Sequence, residues 1–493
     1  MTAFFDTHIL SFLLATPVAG ALLIALLPLE RPSASRAIAL SFSLLSFGIF
    51  GRMLMLVPET LANGHMALME VRAWIPILNS FYRVGVDGMS LLLVGLTTLV
   101  FPIAICSDWK PSRHPRAFMS LLLLLETATL GAFVSLDLLL FYFFWELLLI
   151  PVFFLIGLWG REGKGAAALK FFIFTASGSV LLLLGILFLA TTAATFDWTV
   201  LATQSLPLAT QEILLALFGF AFLVKAPIFL LHTWSPATYS AAPTGTSIIL
   251  ASVLSKLGLY GLIRFCLPLF GAAIDAWQTP LMALAVAGIL YGSLLAWVEP
   301  DLKRLVAYAS MAHIGTALLA IFSLDAMALS GALFFMLAHG LAVAGLFLGI
   351  GFLDSRYGTT HITDYGGLGR RMPVLATLFF IVLLGAVSLP GTSGFVGEFL
   401  SLLGTFTVSP LLASLGAVGV ILSAVYLLGL FGRLFLGPLS PRAALPGITP
   451  DLTRRETLPL LVIVLLILIL GIYPNGILKK LNAPLPSVSG GTH

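Results

Sequence analysis

The sequence predicts an all-α, polytopic membrane protein with about 14 transmembrane helices. Of its 493 residues, 59% are hydrophobic and only 9% are charged, and the mean hydropathy is +1.09. Soluble domains carry about 25% charged residues, so this composition indicates an integral membrane protein. Apolar runs of about 20 residues, long enough to cross the hydrocarbon core as helices, recur along the chain. Transmembrane β-strands would be about ten residues long and would alternate in polarity, which these runs do not.

The spans are expected in the following order, and the twelfth is expected to be broken by proline and glycine. They cover residues 8–28, 37–57, 88–107, 117–136, 138–158, 169–191, 211–234, 245–267, 279–298, 304–322, 328–353, 373–406, 411–436 and 457–473. The intervening polar stretches, the longest being 58–87 and 354–372, are too short to bury a core of their own. A single membrane domain over residues 1–493 follows.

The basic residues predict the orientation. With the N-terminus outside, 17 of the 25 Lys and Arg residues fall at inner loops and helix ends, and 6 fall outside. The other two are Lys225 and Lys256, within spans. Such an excess is a strong positive-inside signal, and an even number of spans then leaves both termini outside. The first apolar run follows Asp6 rather than a basic stretch and is long enough to span, so we expect no cleaved signal.

Several classes of function are disfavoured by composition and motifs. Two cysteines, Cys106 and Cys266, cannot supply an iron–sulfur cluster from this chain alone. Neither an HExxH motif nor a clustered Cys/His set predicts a metal site. The net charge of +4 comes from residues dispersed over loops, so no nucleic-acid partner is expected. We expect no cofactor in this chain.

Four ionisable residues lie near the middle of otherwise apolar spans: Glu146, Lys225, Lys256 and Glu398. A charge in hydrocarbon costs several kcal/mol, so residues of this kind are functional candidates by default. We interpret them as proton-transfer groups, since a neighbouring carboxylate and burial act in opposite directions on the proton affinity of a lysine. The alternative is that they form a structural ion pair, which fixes how the helices pack.

A secondary proton path is also expected. Imidazoles can accept and release a proton at either nitrogen. The alternative for each residue is a structural role, either as a hydrogen-bonded group in the helix packing or as a helix cap. The candidates for this path are Glu126, His232, His313 and His339. Asp137 and Asp301 stand at predicted helix starts, where a carboxylate favours the helix dipole, so we interpret them as structural.

The ionisable groups suggest two repeats, residues 117–267 and 279–436. Glu146 and Lys225 are 79 residues apart, and His313 and Glu398 are 85 apart. Five spans per repeat is an odd number, so the second copy would be inverted relative to the first. Pro227 in span seven and Pro390 in span twelve predict matching helix breaks that free backbone groups for water or ions.

Long motifs over nearly the whole chain resemble the antiporter-like subunits of respiratory complex I, and in particular the subunit M (chain 4) family. They are GVDGMSLLL (85–93), FYFFWELLLIPVFFLIGLWG (141–160), VKAPIFLLHTW (224–234), APTGTSIILASVLSKLGLYGLIRF (242–265), LKRLVAYASMAHIG (302–315) and SLPGTSGFVGEF (388–399). The resemblance implies fourteen helices, inverted five-helix repeats and proton passage along a hydrated central axis. It makes Glu146 the partner of Lys225, Lys256 the central relay and Glu398 the terminal group.

This resemblance also implies the function and the partners. The chain would be a non-redox, proton-translocating subunit of an NADH (or ferredoxin):quinone oxidoreductase, in a bacterial-type plasma or thylakoid membrane. Its partners would be other membrane subunits, including further antiporter-like ones, together with quinone and redox centres held by other subunits. Alternatives are a subunit of a multisubunit sodium/proton antiporter or of a membrane-bound hydrogenase complex. Glutamate at position 398 favours the subunit M family, because its relatives tend to have lysine there.

The loop after His232 departs from the family pattern. The family commonly reads leucine-proline-aspartate-alanine-histidine after HTW, whereas this chain has Ser235-Pro236-Ala237-Thr238-Tyr239. Ala237 and Tyr239 therefore replace an acid and an imidazole. This weakens the case for proton entry through this loop.

Overall fold

The computed structural model describes residues 2–27, 32–57, 66–108, 113–441 and 451–481. Three basic residues that entered the orientation count, Arg31, Lys110 and Arg442, lie outside these ranges.

The first half of the chain follows the predicted spans to within about five residues, except for the seventh (211–234), whose helix already ends at Lys225. Its helices and strands are α1 (Thr2–Thr7), α2 (Ile9–Leu26), α3 (Pro32–Leu56), β1 (Ala67–Ile75), β2 (Ser80–Val86), α4 (Gly88–Ser107), α5 (Pro115–Val134), α6 (Leu138–Leu147), α7 (Leu149–Trp159), α8 (Lys164–Ala193), α9 (Trp198–Leu201), α10 (Leu208–Lys225) and α11 (Trp234–Ala241).

The eighth span is one continuous helical rod, Thr244–Leu269, with two wider π-helical turns in it. It consists of α12 (Thr244–Ile249), a π turn (Leu250–Leu254), α13 (Ser255–Gly261), a second π turn (Leu262–Cys266) and α14 (Leu267–Leu269). Single π turns inside α-helices are rare and are frequent at functional sites. Lys256 lies between the two.

The second half continues in the same way. Its helices are α15 (Gly271–Ala276), α16 (Gln278–Val298), α17 (Leu302–Phe322), α18 (Ala326–Tyr357), α19 (Pro373–Ala386), α20 (Ser393–Val408), α21 (Pro410–Phe435), α22 (Arg454–Ile472) and α23 (Asn475–Leu481). Short 3₁₀ turns lie at 76–78, 362–364 and 368–370.

The all-α polytopic class is confirmed. Within the described ranges, 13 helices are long and apolar enough to cross a membrane. The predicted twelfth span is instead a pair of shorter apolar helices, α19 and α20, which meet at a break over residues 387–392. The exact number of fourteen spans stays a prediction.

One β-hairpin lies in the stretch 58–87, which the sequence analysis treated only as a polar connection. Strands β1 and β2 pair antiparallel around a turn in which Asn79 has a positive φ of 53°. The Glu70 carboxylate accepts hydrogen bonds from the N–H groups of Leu10 and Ser11, and so caps the start of α2. Asp137, at the start of α6, accepts from Phe81 N–H. The hairpin therefore fastens α2 to α6.

The centre of the bundle is formed by three rods that other helices surround. In an apolar stretch of 18 residues from each helix, all residues of α18 and 94% of those of α17 and of the rod α12–α14 are buried, compared with 22% of those of α22. Glycines let these rods approach at backbone distance, as small residues do in membrane helices. A Cβ on Gly340 of α18 would lie 3.1 Å from the Ser252 carbonyl oxygen, and one on Gly397 of α20 would lie 2.6 Å from Phe335 Cα.

Two groups of ion pairs identify opposite ends of the bundle. One group, which we call the basic face, joins Asp354 to Arg161 and Lys303, and Arg356 to Glu456. The other group joins Arg264 to Asp87 and Arg83 to Asp197. Burial opposes ionisation of Asp87, yet the charge of Arg264 and the Ser90 N–H hold the pKa of that carboxyl below its usual value.

Candidate functional site

Glu146 lies in the last turn of α6, directly before an interruption of the span. The helix stops at Leu147 and resumes at Leu149. Pro151 explains this break, because proline has no N–H for the carbonyl of Leu147 and its ring clashes there. Glu146 is half-buried, and its Oε1 has no hydrogen-bond partner among the described residues. Its carboxylate thus lies beside an interruption of the helix.

Lys225 is the last residue of α10, at the predicted break in span seven. The connection 226–233 separates it from α11. A cation is stabilised by the carbonyl end of a helix. The lysine is buried, with 6% exposure, and its charge acts on Glu146 through space. Within the described part of the chain, however, Glu146 and Lys225 do not form an ion pair. The Lys225 Nζ instead lies 3.5 Å from the centre of the Trp145 ring and 3.5 Å from the Trp145 carbonyl oxygen.

Lys256 lies in α13 and is completely buried. Its Nζ donates to the Ala251 carbonyl oxygen at 2.7 Å and approaches the Ser255 hydroxyl at 3.3 Å. Ala251 belongs to the first π turn, whose wider geometry frees carbonyl oxygens from regular helical bonding. A Cβ on Gly258, half a turn further, would lie 2.3 Å from the Phe222 carbonyl oxygen. This close approach brings the Lys256 rod against α10, which carries Lys225.

His313 of α17 and His339 of α18 lie together in the centre of the bundle. Their ring centroids are 5.4 Å apart at an angle of 77°, and each ring also contacts Phe335. The charge of Lys256 acts on both imidazoles. Neither Nε2 atom has a hydrogen-bond partner within the described ranges. The two histidines therefore continue the line of titratable groups from Lys256 into the second half.

Glu398 lies in the second turn of α20, just after the break at 387–392. It is 4% exposed and lies near the Ser388 hydroxyl of the break, but neither that hydroxyl nor Glu398 Oε2 has a hydrogen-bond partner among the described residues. Its charge also acts on Tyr426 of α21. Ser388 has a positive φ of 59°, as does Gly391 with 93°, so the connection between α19 and α20 is sharply turned. This places the Glu398 carboxyl where the backbone is least regular.

Glu126 and His232 lie at the margins of this line. Glu126 is fully buried on α5 near Ser43 of α3, and neither of its carboxylate oxygens has a hydrogen-bond partner among the described residues. His232 lies in the break after α10, where its ring packs against Phe229 and Tyr291. No hydrogen bond to its Nδ1 is present among the residues described. Glu126 thus points to the flanking helices, whereas His232 borders the interruption that carries Lys225.

The divergent segment after His232 was expected to be a loop, but it forms the helix α11 and is mostly buried. Tyr239, in the position where the family commonly has histidine, is 1% exposed and its hydroxyl approaches the Leu250 carbonyl oxygen at 3.4 Å. Leu250 begins the π turn before Lys256. The aromatic side chain therefore fills this position with a hydroxyl that contacts the Lys256 rod.

A cavity of about 760 Å³, which was not expected from the sequence, lies on the basic face and is lined by Asp108, Asp354 and Thr244 among others. The Asp108 carboxylate accepts a hydrogen bond of 2.9 Å from the N–H of Gly245, at the start of the Lys256 rod. Burial raises the pKa of Asp108 to about 6, although this N–H and the charge of Lys303 both act to lower it. Its position at the end of a helix gave no signal in the sequence.

Trp145, whose ring contacts the Lys225 ammonium, was also not expected at the site from the sequence. An aromatic residue in an apolar run is ordinarily a packing residue, so only its position directly before Glu146 could have drawn notice. Buried hydroxyls near the titratable groups were missed for the same reason. Ser252, Ser310 and Ser401 have no hydrogen-bond partner for their hydroxyls among the described residues.

A bundle of membrane-spanning helices with interrupted spans and central acids, bases and imidazoles defines a polytopic membrane protein of the antiporter-like class. The chain belongs to the family described as NADH:quinone oxidoreductase/Mrp antiporter, transmembrane, whose model matches residues 135–423. It is 38% identical over 491 residues to NADH-quinone oxidoreductase subunit M of Rickettsia felis, with 98% of this chain and 99% of that protein covered. It is 39% identical to subunit M of Rhodobacter capsulatus, over 95% of this chain and 94% of that protein.

Solved structures agree with this assignment. The fold matches a chain of respiratory complex I from Thermus thermophilus with bound NADH, with a TM-score of 0.87 and 32% identity over 96% of this chain and 97% of that one. A chain of the Mrp complex from Dietzia sp. matches with a TM-score of 0.83 at 20% identity, over 97% of this chain and 96% of that chain, and so shares the fold.

Proposed function

We propose that this chain is a proton-translocating membrane subunit of a complex I–type quinone oxidoreductase. Glu146, Lys225, Lys256 and Glu398 would exchange protons along a central axis, with His313 and His339 between the last two. Electron transfer would take place in other subunits and would supply the energy. Moving one charge against the membrane potential costs about 2.3 kcal/mol per 100 mV, so this chain needs such a source.

The observation that carries this proposal is the set of titratable groups, most of them buried, on adjacent helices through the centre of the bundle. Backbone contacts at Gly258, Gly340 and Gly397 hold together the helices that bear them. Buried polar atoms nearly always bond to protein or to water. The unpartnered imidazole nitrogens and serine hydroxyls described above are therefore suited to holding water between the titratable groups. The near full-length similarity to subunit M proteins supports the same assignment.

We further propose that the basic face points to the cytoplasm and that both termini lie on the opposite side of the membrane. The excess of Lys and Arg at inner positions supports this orientation. The two inverted repeats, 117–267 and 279–436, would then place Lys225 and Glu398 at corresponding helix breaks. In this arrangement the chain itself binds no redox cofactor, and its partners are the other membrane subunits, including antiporter-like ones.

Replacement of Lys225 by methionine tests the proposal. The variant should assemble in the complex but lose most of the proton pumping that accompanies quinone reduction, because a thioether cannot hold the proton. The measurement is the number of protons moved per electron pair in reconstituted vesicles. Lys479→Met is a matched control, since Lys479 is exposed on α23. Unchanged pumping in Lys225→Met would refute the proposal.

The same preparation separates the alternative functions. Co-purification with quinone-reducing subunits is expected here, whereas a sodium/proton antiporter subunit would co-purify with ion-transport subunits alone and would respond to sodium gradients. A hydrogenase partner would be revealed by hydrogen evolution in the purified complex.

A further inference from the structure

Trp145 is held rigidly at the first titratable pair of the axis. Its side chain is 2% exposed, and its Nε1 donates a hydrogen bond of 3.0 Å to the Ser179 hydroxyl of α8. The Phe222 ring of α10 lies 5.4 Å away at an angle of 75°. The Phe141 ring lies 5.6 Å away, one turn earlier on α6. The indole is thus fixed by contacts with three helices.

The free face of this indole receives the ammonium group of Lys225. The distance of 3.5 Å from Nζ to the ring centre is well within the range of about 6 Å for a cation–π contact. Tryptophan is the strongest partner for such a contact, and the attraction grows when the pair is buried away from water. Lys225 is buried, and the Trp145 carbonyl oxygen adds an acceptor at 3.5 Å.

The carboxylate of Glu146 also lies close enough for its charge to act on Lys225, so one flexible lysine side chain has two neighbours on α6. The four-carbon stem of lysine rotates freely, whereas the indole is fixed. In the structure the ammonium rests on the ring, and among the described residues nothing bonds to Oε1 of Glu146. The ring attracts a charged lysine but not a neutral amine, because the attraction is to positive charge. It therefore stabilises a protonated Lys225 that has left its carboxylate.

We propose that Trp145 is a positioning residue for proton transfer, whose indole face is a second resting place for the Lys225 ammonium after it separates from Glu146. This inference rests on the proposed function of Lys225. The ring holds the proton on the lysine until the next acceptor is ready, and it orients Nζ away from the carboxylate. Without the ring, a charged Lys225 would return to Glu146 and the proton would not advance.

A set of substitutions at position 145 tests the inference in the assembled complex. Trp145→Leu removes the ring, Trp145→Phe keeps a weaker one, and tryptophans with one to three fluorines at this position weaken the ring charge with little change in volume. The pumping rate at equal electron transfer should fall by roughly tenfold for leucine, and by less for phenylalanine. It should decrease step by step with the number of fluorines. A purely structural role would leave the fluorinated proteins unchanged.

Controls separate this inference from the proposed function. Trp297→Leu is the matched control, because Trp297 on α16 is half-exposed. If Lys225→Met abolishes pumping while all position-145 proteins pump normally, the inference about Trp145 is wrong and the proposed function stands. If Lys225→Met also pumps normally, the proposed function itself fails. If Trp145→Leu does not assemble, the fluorinated series decides alone, and a flat response across it overturns the inference.

Discussion

Gly397→Ala should weaken coupling by separating two central helices. A Cβ at position 397 would lie 2.6 Å from Phe335 Cα and 2.7 Å from Phe335 N. Carbon atoms pack at about 3.5 to 4.0 Å, so α18 and α20 must move apart by about 1 Å. Overpacking of this kind costs about 1–3 kcal/mol. Because Glu398 is the next residue, its carboxyl would shift by a similar amount relative to His339 on α18.

The assay is the ratio of protons pumped to electrons transferred, measured on purified complex in vesicles, together with retention of the subunit on heating. Gly397→Ala should lower both quantities. Gly429→Ala is the matched control, since no atom lies within 4 Å of a Cβ built there. If the two variants have the same ratio of protons to electrons, the close approach of α18 and α20 at Gly397 does not determine coupling.

Two further predictions concern the basic face. Asp354→Asn removes the carboxylate shared by Arg161 and the buried Lys303. Because loss of one partner of a buried pair costs about 3–5 kcal/mol, the amount of assembled complex on native gels should fall. Glu299 pairs with the exposed Arg304, so Glu299→Gln should leave assembly unchanged. Asp108→Asn keeps an acceptor for the Gly245 N–H but cannot ionise. The pKa of Asp108 is raised to about 6 in the folded chain, so ionisation destabilises the wild type as pH rises through this value. The variant should therefore unfold at a higher temperature than the wild type at pH 8, and at the same temperature below the ordinary carboxyl pKa. An equal difference in unfolding temperature at both pH values would contradict this.

The spans could be predicted from the sequence because the bilayer imposes a length on them. The run 88–107 became α4 over the same residues, and 279–298 became α16 to within one residue. The hairpin could not be predicted in the same way. Its strands carry Glu70 and Arg83 among apolar residues, and its pairing depends on contacts with α2 and α6 that are distant in sequence. Asp137 was correctly interpreted as structural, since it accepts from the Leu139 and Leu140 N–H groups.

The candidate site was predictable in its charged members and not in its neutral ones. A lysine or glutamate within a membrane is conspicuous because of the cost of its charge, so Lys256 and Glu398 stand out in the sequence. Trp145 has no such cost and looks like a packing residue. The expected pairing of Glu146 with Lys225 was implied by the resemblance to the subunit M family. The observed position of the ammonium depends on side-chain torsions and on the fixed indole, which the sequence does not specify.

The two π turns around Lys256 have a consequence for how this rod can vary. Each π turn holds one residue more than an α turn would, which rotates everything beyond it by about 100°. Arg264 lies in the second turn and reaches Asp87 only in this phase. The count of residues between Lys256 and Arg264 is therefore as constrained as their identities. A deletion of one residue there that left both π turns intact would keep every charge in the chain and would still turn the guanidinium away from its carboxylate.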